Sequence, residues 1–558
     1  MDQVLNGLAL PANMAGREQG ARLKDWNRSA LRVVLAQPDI YEASAGSTAL
    51  NILYQLVNRH PAWLAERSFL WPTDFRKQCQ ALRVTQFSLE SKHALRDFDL
   101  IGISMPSELL YPNLVQFLND AGLNPWSEQR KVSDPLVAVG GVASFNPLPI
   151  APLVDAVFIG EAEESFVEVL EALEKIPQLP RSEKLLAISR VPGVYVPSVH
   201  GVEMQTVSKR SLRDLSLLTE LTEPVIPYGW EKKPRASLQL MRGCVWKCRY
   251  CQAGFTTLPV RSLSAAQVQQ TVDDLRGYGI AEVGLLALNV IDYPQLPELL
   301  TQLHDHKGHL RMPAIKMDYV DPNLVRNIGY NAYSLALEAG TERLRHVLNR
   351  RYTDADWQKA VDHILKAGGK RISMDFMVGL PTETDADLMG IAETVSKIAE
   401  CVVGQAELSV SVATFVPKPH TPFQWHVQIL PDEARRRQEV IRTHALHAHH
   451  VQYHFRKPDA SLIEGVLARG TMACAALLVE AVKSGVVDLG WEQRFISENW
   501  QSAAAAVDFD LPALAQQTYA STENLPWEVI NVGVQKKYLL REWEKSLATA
   551  PTVKDLQC

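Results

Sequence analysis

"LMRGCVWKCRYCQAGF", residues 240–255, places Cys244, Cys248 and Cys251 within eight positions, three of the seven cysteines in a 558-residue chain. The other four, Cys79, Cys401, Cys474 and Cys558, are scattered, which is not the pattern of a disulfide framework. Three thiolates on one short loop can hold three irons of a cubane iron–sulfur cluster and leave the fourth iron open. Three thiolates can also begin a structural zinc site, but zinc asks for a fourth Cys or His at matching spacing. No second Cys-x-x-Cys occurs, and the next cysteine after Cys251 is Cys401.

The apolar run just before the loop, 236–241, is the first of a series. "EVGLLAL" (282–288), "AIKMDYV" (314–320), "YSLALEA" (333–339), "RISMDFMVGL" (371–380) and "ELSVSVATFV" (407–416) follow, separated by helical stretches. Six strand–helix units predict a full or partial parallel barrel over 236–445, with its site at the strand C-terminal ends. Upstream, "LRVVLAQPD" (31–39), "DFDLIGISM" (97–105), "PLVAVGG" (135–141) and "VDAVFIG" (154–160) alternate with helices. That predicts a doubly wound, Rossmann-like α/β domain over 31–176. Residues 1–30 read as an extension and 177–235 as a connector with a hairpin at "GVYVPSVHGVEMQTV" (193–207). Residues 446–558 read as a helix-rich C-terminal domain packed by Trp491, Trp500, Trp527 and Trp543.

A composition of 46% hydrophobic and 22% charged residues is that of an ordinary globular protein. A net charge of -6 gives no support to a nucleic-acid-binding surface. No basic segment leads an apolar core at the N-terminus, and no run approaches 18 apolar residues. We therefore expect no signal peptide, no membrane span and a cytoplasmic location. The histidines of "HALHAHHVQYH" (444–454) put His447, His450 and His454 on one predicted helix face, read as a solvated helix end. The basic stretches "ERLRHVLNRR" (342–351) and "DEARRRQEVIR" (432–442) read as solvated faces.

The cysteine spacing, with Tyr250 just before the third cysteine, resembles that of radical S-adenosylmethionine (radical SAM) enzymes. The resemblance implies a [4Fe–4S] cluster on Cys244, Cys248 and Cys251, with S-adenosylmethionine on the open iron and Tyr250 near its adenine. It also implies a reductant such as flavodoxin or ferredoxin. "LNVIDYPQL" (288–296) stands where many relatives carry a Gly-Gly-Glu-like segment, and departs from it with Asn289, Asp292 and Tyr293. Glu338, Gly340 and Thr341 in "ALEAGTERLRHVLNR" (336–350) and Gly379 in "MDFMVGLPTETDAD" (374–387) would line the S-adenosylmethionine pocket. His420 in "ATFVPKPHTPFQW" (413–425) would be a catalytic acid/base or a substrate contact.

Over nearly its whole length the chain resembles the cobalamin-binding-domain radical SAM proteins. The stretches that carry this are "VVLAQPDIYEAS" (33–44), "RDFDLIGISMPSELLYPN" (96–113), "GGVASFNPLPIAPLVDAVFIGEAEE" (140–164) and "INVGVQKKYLLRE" (530–542). By that resemblance Ser104, Gly140 and Gly141 would hold cobalamin. The relatives' Asp-x-His-x-x-Gly stretch is missing: Asp39 is followed by Ile40, Tyr41 and Glu42, so cobalamin would lack a histidine lower ligand. The implied activity is cobalamin-dependent methylation of an unactivated carbon or phosphorus centre in a small molecule. The alternatives are a radical rearrangement or aminocarboxypropyl transfer without cobalamin, and a non-catalytic iron–sulfur sensor.

Overall fold

The computed structural model describes residues 11–201, 206–229, 233–303, 310–311, 332–445, 451–487 and 495–548. The expected strand at 314–320, His447, His450, Trp491 and Cys558 lie outside these residues. The N-terminal sheet consists of β1 (Leu31–Gln37), β2 (Trp63–Phe69), β3 (Leu100–Ser104), β4 (Leu136–Gly140), β5 (Ala156–Phe158) and β6 (Val194–Tyr195). Its order is β2-β1-β3-β4-β5-β6. The first five strands run parallel, and β6 joins antiparallel to β5. β1 and β2 are buried almost throughout, as parallel strands covered by helices on both faces must be. The doubly wound fold is as expected, with two additions.

The first addition is β2, whose buried Glu66 and Arg67 break its apolar pattern. Arg67 donates to Glu18 (2.9 Å) and to Glu90 (2.7 Å), all three side chains buried. Glu18 also accepts from the Tyr41 hydroxyl. The described part of the N-terminal segment is therefore fastened into this domain rather than extending from it. The second addition is β6, which replaces the expected hairpin. Residues Val194–Tyr195 pair with β5, while β7 (Val207–Ser208) pairs with β17 (Ile530–Asn531) near the C-terminus.

The second half is built on β8 (Arg235–Gln239), β11 (Glu282–Leu286) and β12 (Leu310–Arg311), and on β13 (Ala332–Glu338), β14 (Arg371–Val378), β15 (Glu407–Thr414) and β16 (Val451–Phe455). They form parallel sheets of order β12-β11-β8 and β13-β14-β15-β16. Leu238, Leu285, Leu335, Phe376 and Val412 share one hydrophobic core with helix residues such as Trp357, Ile364 and Val395. Burial alternates with period two along β13, β14 and β15. The alternate set is less buried and richer in small and polar residues, and Ser334 donates to Asp375 across β13 and β14 (3.0 Å). These parallel sheets carry five of the six expected strands, the sixth, 314–320, lying outside the described residues, and β16 adds a strand beyond residue 445. His454 lies in β16, so the expected three-histidine helix face does not form.

Among the described residues, most of the C-terminal helices share a core with the N-terminal domain. Leu462, Leu467, Cys474, Leu478 and Trp500 pack into one cluster with Ile101, Leu114, Phe117 and Val139 of the N-terminal domain. The last helix, Lys536–Ala548, lies instead against the cysteine loop: Trp527, Leu539 and Phe255 share a cluster with Trp425. No helix among the described residues is long and apolar enough to cross a membrane.

Candidate functional site

The cysteine loop leaves β9 (Met241–Arg242) and returns as β10 (Arg261–Ser262), paired antiparallel. Gly243 starts it at φ +90°, where a side chain would press on the Val260 and Pro259 backbone at 2.8–2.9 Å. Cys248 is buried, and Cys244 and Cys251 are half-buried. Burial pushes the Cys248 thiol up to about 11 and raises Cys251 as well. Bare thiolates are therefore costly here, and bound iron removes that cost by supplying positive charge. Among the described residues, no three His, Cys, Asp or Glu side chains converge to clasp a single metal ion. The three thiols still lie close enough for Cys244 and Cys251 to act electrostatically on Cys248. The donor set suits a multi-iron cluster, whose irons stand at separate corners, better than one zinc ion.

The loop is clamped from three sides. The Trp246 indole N–H donates to Asp292 (2.6 Å), which also accepts from Asn289 (2.8 Å). The segment that departs from the family pattern thus holds the loop in place. Asn349 donates to the Trp246 and Lys247 carbonyls (3.1 and 3.2 Å). Arg249 donates to the carbonyls of His346 (3.1 Å) and Val347 (2.9 Å), at the C-terminal end of helix Glu342–Val347, and pairs with Glu542 at 3.1 Å.

Tyr250, Glu338 and Arg350 form a closed triad beside the cysteines. The Tyr250 hydroxyl donates to Glu338 (2.6 Å), and Arg350 reaches Glu338 (2.9 Å) and the Tyr250 oxygen (3.2 Å). Burial and then the Glu338 carboxylate raise the Tyr250 phenol well above its ordinary value, so it stays a donor. Burial works against the charge on Arg350, but Tyr250, Cys248 and Glu338 hold the guanidinium above its usual value. Glu338 takes φ +69°, a strained conformation at the end of β13. Arg350 and the fully buried Arg345 correct the solvated reading of "ERLRHVLNRR". Arg345 donates to the Tyr352 carbonyl (2.9 Å) and pairs with Asp354, because the helix here ends inside the protein.

The neighbouring residues Gly340, Thr341 and Gly379 have packing and capping roles. A side chain at Gly340 would meet the backbone of helix Asp385–Val402, with Asp387 O at 2.5 Å and Ile391 N nearer still. Gly340 serves close helix packing. Gly340→Ala is expected to cost about 3 kcal/mol or more, read as a lowered urea midpoint, because backbone cannot step aside as a side chain can. Thr341 caps helix Glu342–Val347 and bonds Asp387. Gly379, at φ +88°, donates its N–H to Glu383 (2.7 Å), whose carboxyl burial pushes up to about 7.

His420, the expected acid/base or substrate contact, is buried. Its Nε2 meets the Phe145 carbonyl at 2.9 Å, tying the barrel to the N-terminal domain, and burial lowers its pKa to about 4. Its folded value lies below the unfolded one of about 6.5, so the unfolded chain binds more protons between these values. The neutral ring's contribution is full above pH ~6.5 and is lost as pH falls towards ~4, about 3 kcal/mol in all. His420→Gln should flatten the fall in urea midpoint across that window; an equally steep fall in the variant would contradict the assignment.

Three cavities complete the site. One of about 480 Å³ is lined by Ser104, Gly140 and Gly141 at the ends of β3 and β4, and also by Gly243, Ala253 and Thr256 around the cysteines. A second, of about 390 Å³, shares Ser104 and Gly141 and reaches Gln37 at the end of β1. A third, of about 330 Å³, is lined by Tyr250, Met377, Thr414 and Lys418. Lys418, unremarked in the sequence reading, pairs with Glu108 (2.9 Å) and Glu464 (2.7 Å). Although burial opposes its charge, these carboxylates hold the ammonium above its ordinary value.

Residues 49–197 match the model of the N-terminal domain of radical SAM proteins, and residues 238–395 match that of the radical SAM superfamily. An uncharacterised Methanocaldococcus jannaschii protein, MJ0966, is 26% identical over 70% of this chain and 82% of its own length. A tRNA-2-methylthio-N(6)-dimethylallyladenosine synthase from a Hydrogenobaculum species is 28% identical over 36% of this chain and 47% of its own. The chain thus spans less than half of that tRNA-modifying relative. Among solved structures, the cobalamin-dependent S-adenosylmethionine radical enzyme OxsB gives a TM-score of 0.47 and 11% identity, over 93% of this chain and 80% of that one.

Proposed function

We propose that this radical SAM chain uses cobalamin to methylate an unactivated carbon or phosphorus centre of a small molecule. One observation carries the reading. The cavity walled by Ser104, Gly140 and Gly141 is also walled by Gly243, Ala253 and Thr256, which bracket the cysteines. A large ligand held at the strand ends of the N-terminal domain would face the cysteine loop, and the adjoining 390 Å³ cavity gives room for a nucleotide tail across the ends of β1 and β3.

When bound, the cluster with S-adenosylmethionine supplies a carbon radical, and cobalamin supplies a methyl group. In this reading Cys244, Cys248 and Cys251 hold three irons, and the clamp of Asp292, Asn349 and Arg249 fixes the loop that carries them. The Tyr250–Glu338–Arg350 triad keeps the wall beside them in one geometry and one charge state. The small molecule would occupy the cavity beside Tyr250 and Met377, where position and exclusion of water are the protein's contribution.

Purified anaerobically with hydroxocobalamin and then desalted, the full chain is expected to retain about one corrinoid per chain, read from its visible absorption. Ser104→Leu should lower that retention without changing iron content. An intact cluster with no retained corrinoid would contradict cobalamin dependence. Release of methylthioadenosine would then point to aminocarboxypropyl transfer.

A further inference from the structure

We propose that the cavity beside Tyr250 and Met377 takes a small anion. Its carboxylate or phosphate group meets Arg456 at the N-terminus of helix Pro458–Arg469, and another of its oxygens bonds Thr414. The inference rests on the radical SAM reading, which makes this cavity the place of the substrate, and adds the substrate's chemical class. At about 330 Å³ the cavity is at the lower end of the range for small-molecule sites. Thr414, Lys418, Arg456, Lys457, Ser461 and Glu464 supply its polar wall, at the ends of β15 and β16 and on that helix.

Thr414 ends β15 and is only 5% exposed, yet its hydroxyl has no hydrogen-bond partner among the described residues. A buried hydroxyl left in that state is costly, and an oxygen of a ligand in the cavity removes the cost. The charges on the wall say what kind of ligand that is. Lys418 is matched by Glu108 and Glu464. Arg456 and Lys457, both exposed, follow β16 directly, and Arg456 has no carboxylate partner among the described residues. The wall thus carries three cations against Glu464, with Glu108 behind Lys418 as a second acid, and its balance favours an anion. Helix Pro458–Arg469 adds to this. It is twelve residues long, its N-cap Lys457 supplies no capping side chain, and Ala460 and Ser461 of its first turn line the cavity. Its positive end is therefore turned towards the same space. Asp459, the acid of that turn, pairs with Arg435 (2.6 Å) and accepts from Ser497 (3.2 Å).

The test is titration calorimetry of the full chain at constant ionic strength, with glycerol 3-phosphate and glycerate as probes and glycerol as the uncharged control. One site per chain is expected for at least one anionic probe, and none for glycerol. Tighter binding of glycerol 3-phosphate assigns a phosphate, and tighter binding of glycerate a carboxylate. Arg456→Gln should weaken that site at least about tenfold. Thr414→Val keeps the shape and should weaken it about three- to tenfold, without lowering the urea midpoint, because the hydroxyl has no partner to lose in the empty protein. No binding of either anion, equal binding of glycerol, or affinity unchanged by Arg456→Gln overturns the anion site. A lowered midpoint with unchanged affinity in Thr414→Val overturns the role of that hydroxyl. Binding as expected by a chain that assembles no iron–sulfur cluster supports the anion site and speaks against the radical SAM reading instead.

Discussion

Cys248→Ser is expected to leave a folded chain that no longer assembles its cluster. Iron and sulfide should fall from about four each per chain towards zero after anaerobic reconstitution. Release of 5′-deoxyadenosine should fall to the level of the no-enzyme control. Cys248 is the most buried of the three thiols, so its loss also removes the ligand least able to be replaced by water. Urea unfolding of the iron-free variant should match that of the iron-free wild type, since the loop is held by Asp292, Asn349 and Arg249 and not by the thiols. A variant that kept its iron would place the ligand elsewhere.

The largest stability effect should come from Arg67→Met. It leaves Glu18 and Glu90 buried without their shared cation, at an expected cost of about 3–5 kcal/mol. Combining it with Glu18→Gln and Glu90→Gln should restore much of that loss, because the penalty lies in the unpaired charges rather than in the missing side chain. No recovery in the triple variant would mean that packing, not charge, dominates. Either outcome is read from urea midpoints of the three proteins at neutral pH.

Arg67 also shows where sequence reading stopped. β2 carries Glu66 and Arg67 among its seven buried residues, so it lacks the apolar run that revealed β1, β3 and β4. Glu18 and Glu90 make the burial of Arg67 tolerable and Ser91 that of Glu66, and pairing over such separations leaves no local pattern. The same reason hid Arg350 and Lys418. Each looks like a solvated cation in sequence and is neutralised by carboxylates from other elements: Glu338 for the first, Glu108 and Glu464 for the second. The cysteine loop and the strands β8, β11, β13, β14 and β15 were legible because spacing and periodicity are local. Gly340 and Gly379 were legible as special positions but not as to purpose, since a glycine required by a helix backbone and one required by a ligand look alike in one sequence. His420 carries the same ambiguity: a polar residue at a strand end can fasten two domains as readily as it can move a proton.

The central claim is that the loop at 244–251 carries a redox-active cluster that activates S-adenosylmethionine. The direct measurement is anaerobic incubation of the reconstituted protein with S-adenosylmethionine and reductant, with chromatography of the products beside metal analysis. The account predicts about four iron per chain and 5′-deoxyadenosine that disappears in the Cys248 variant. One tightly held zinc per chain, with no S-adenosylmethionine cleavage, would contradict it.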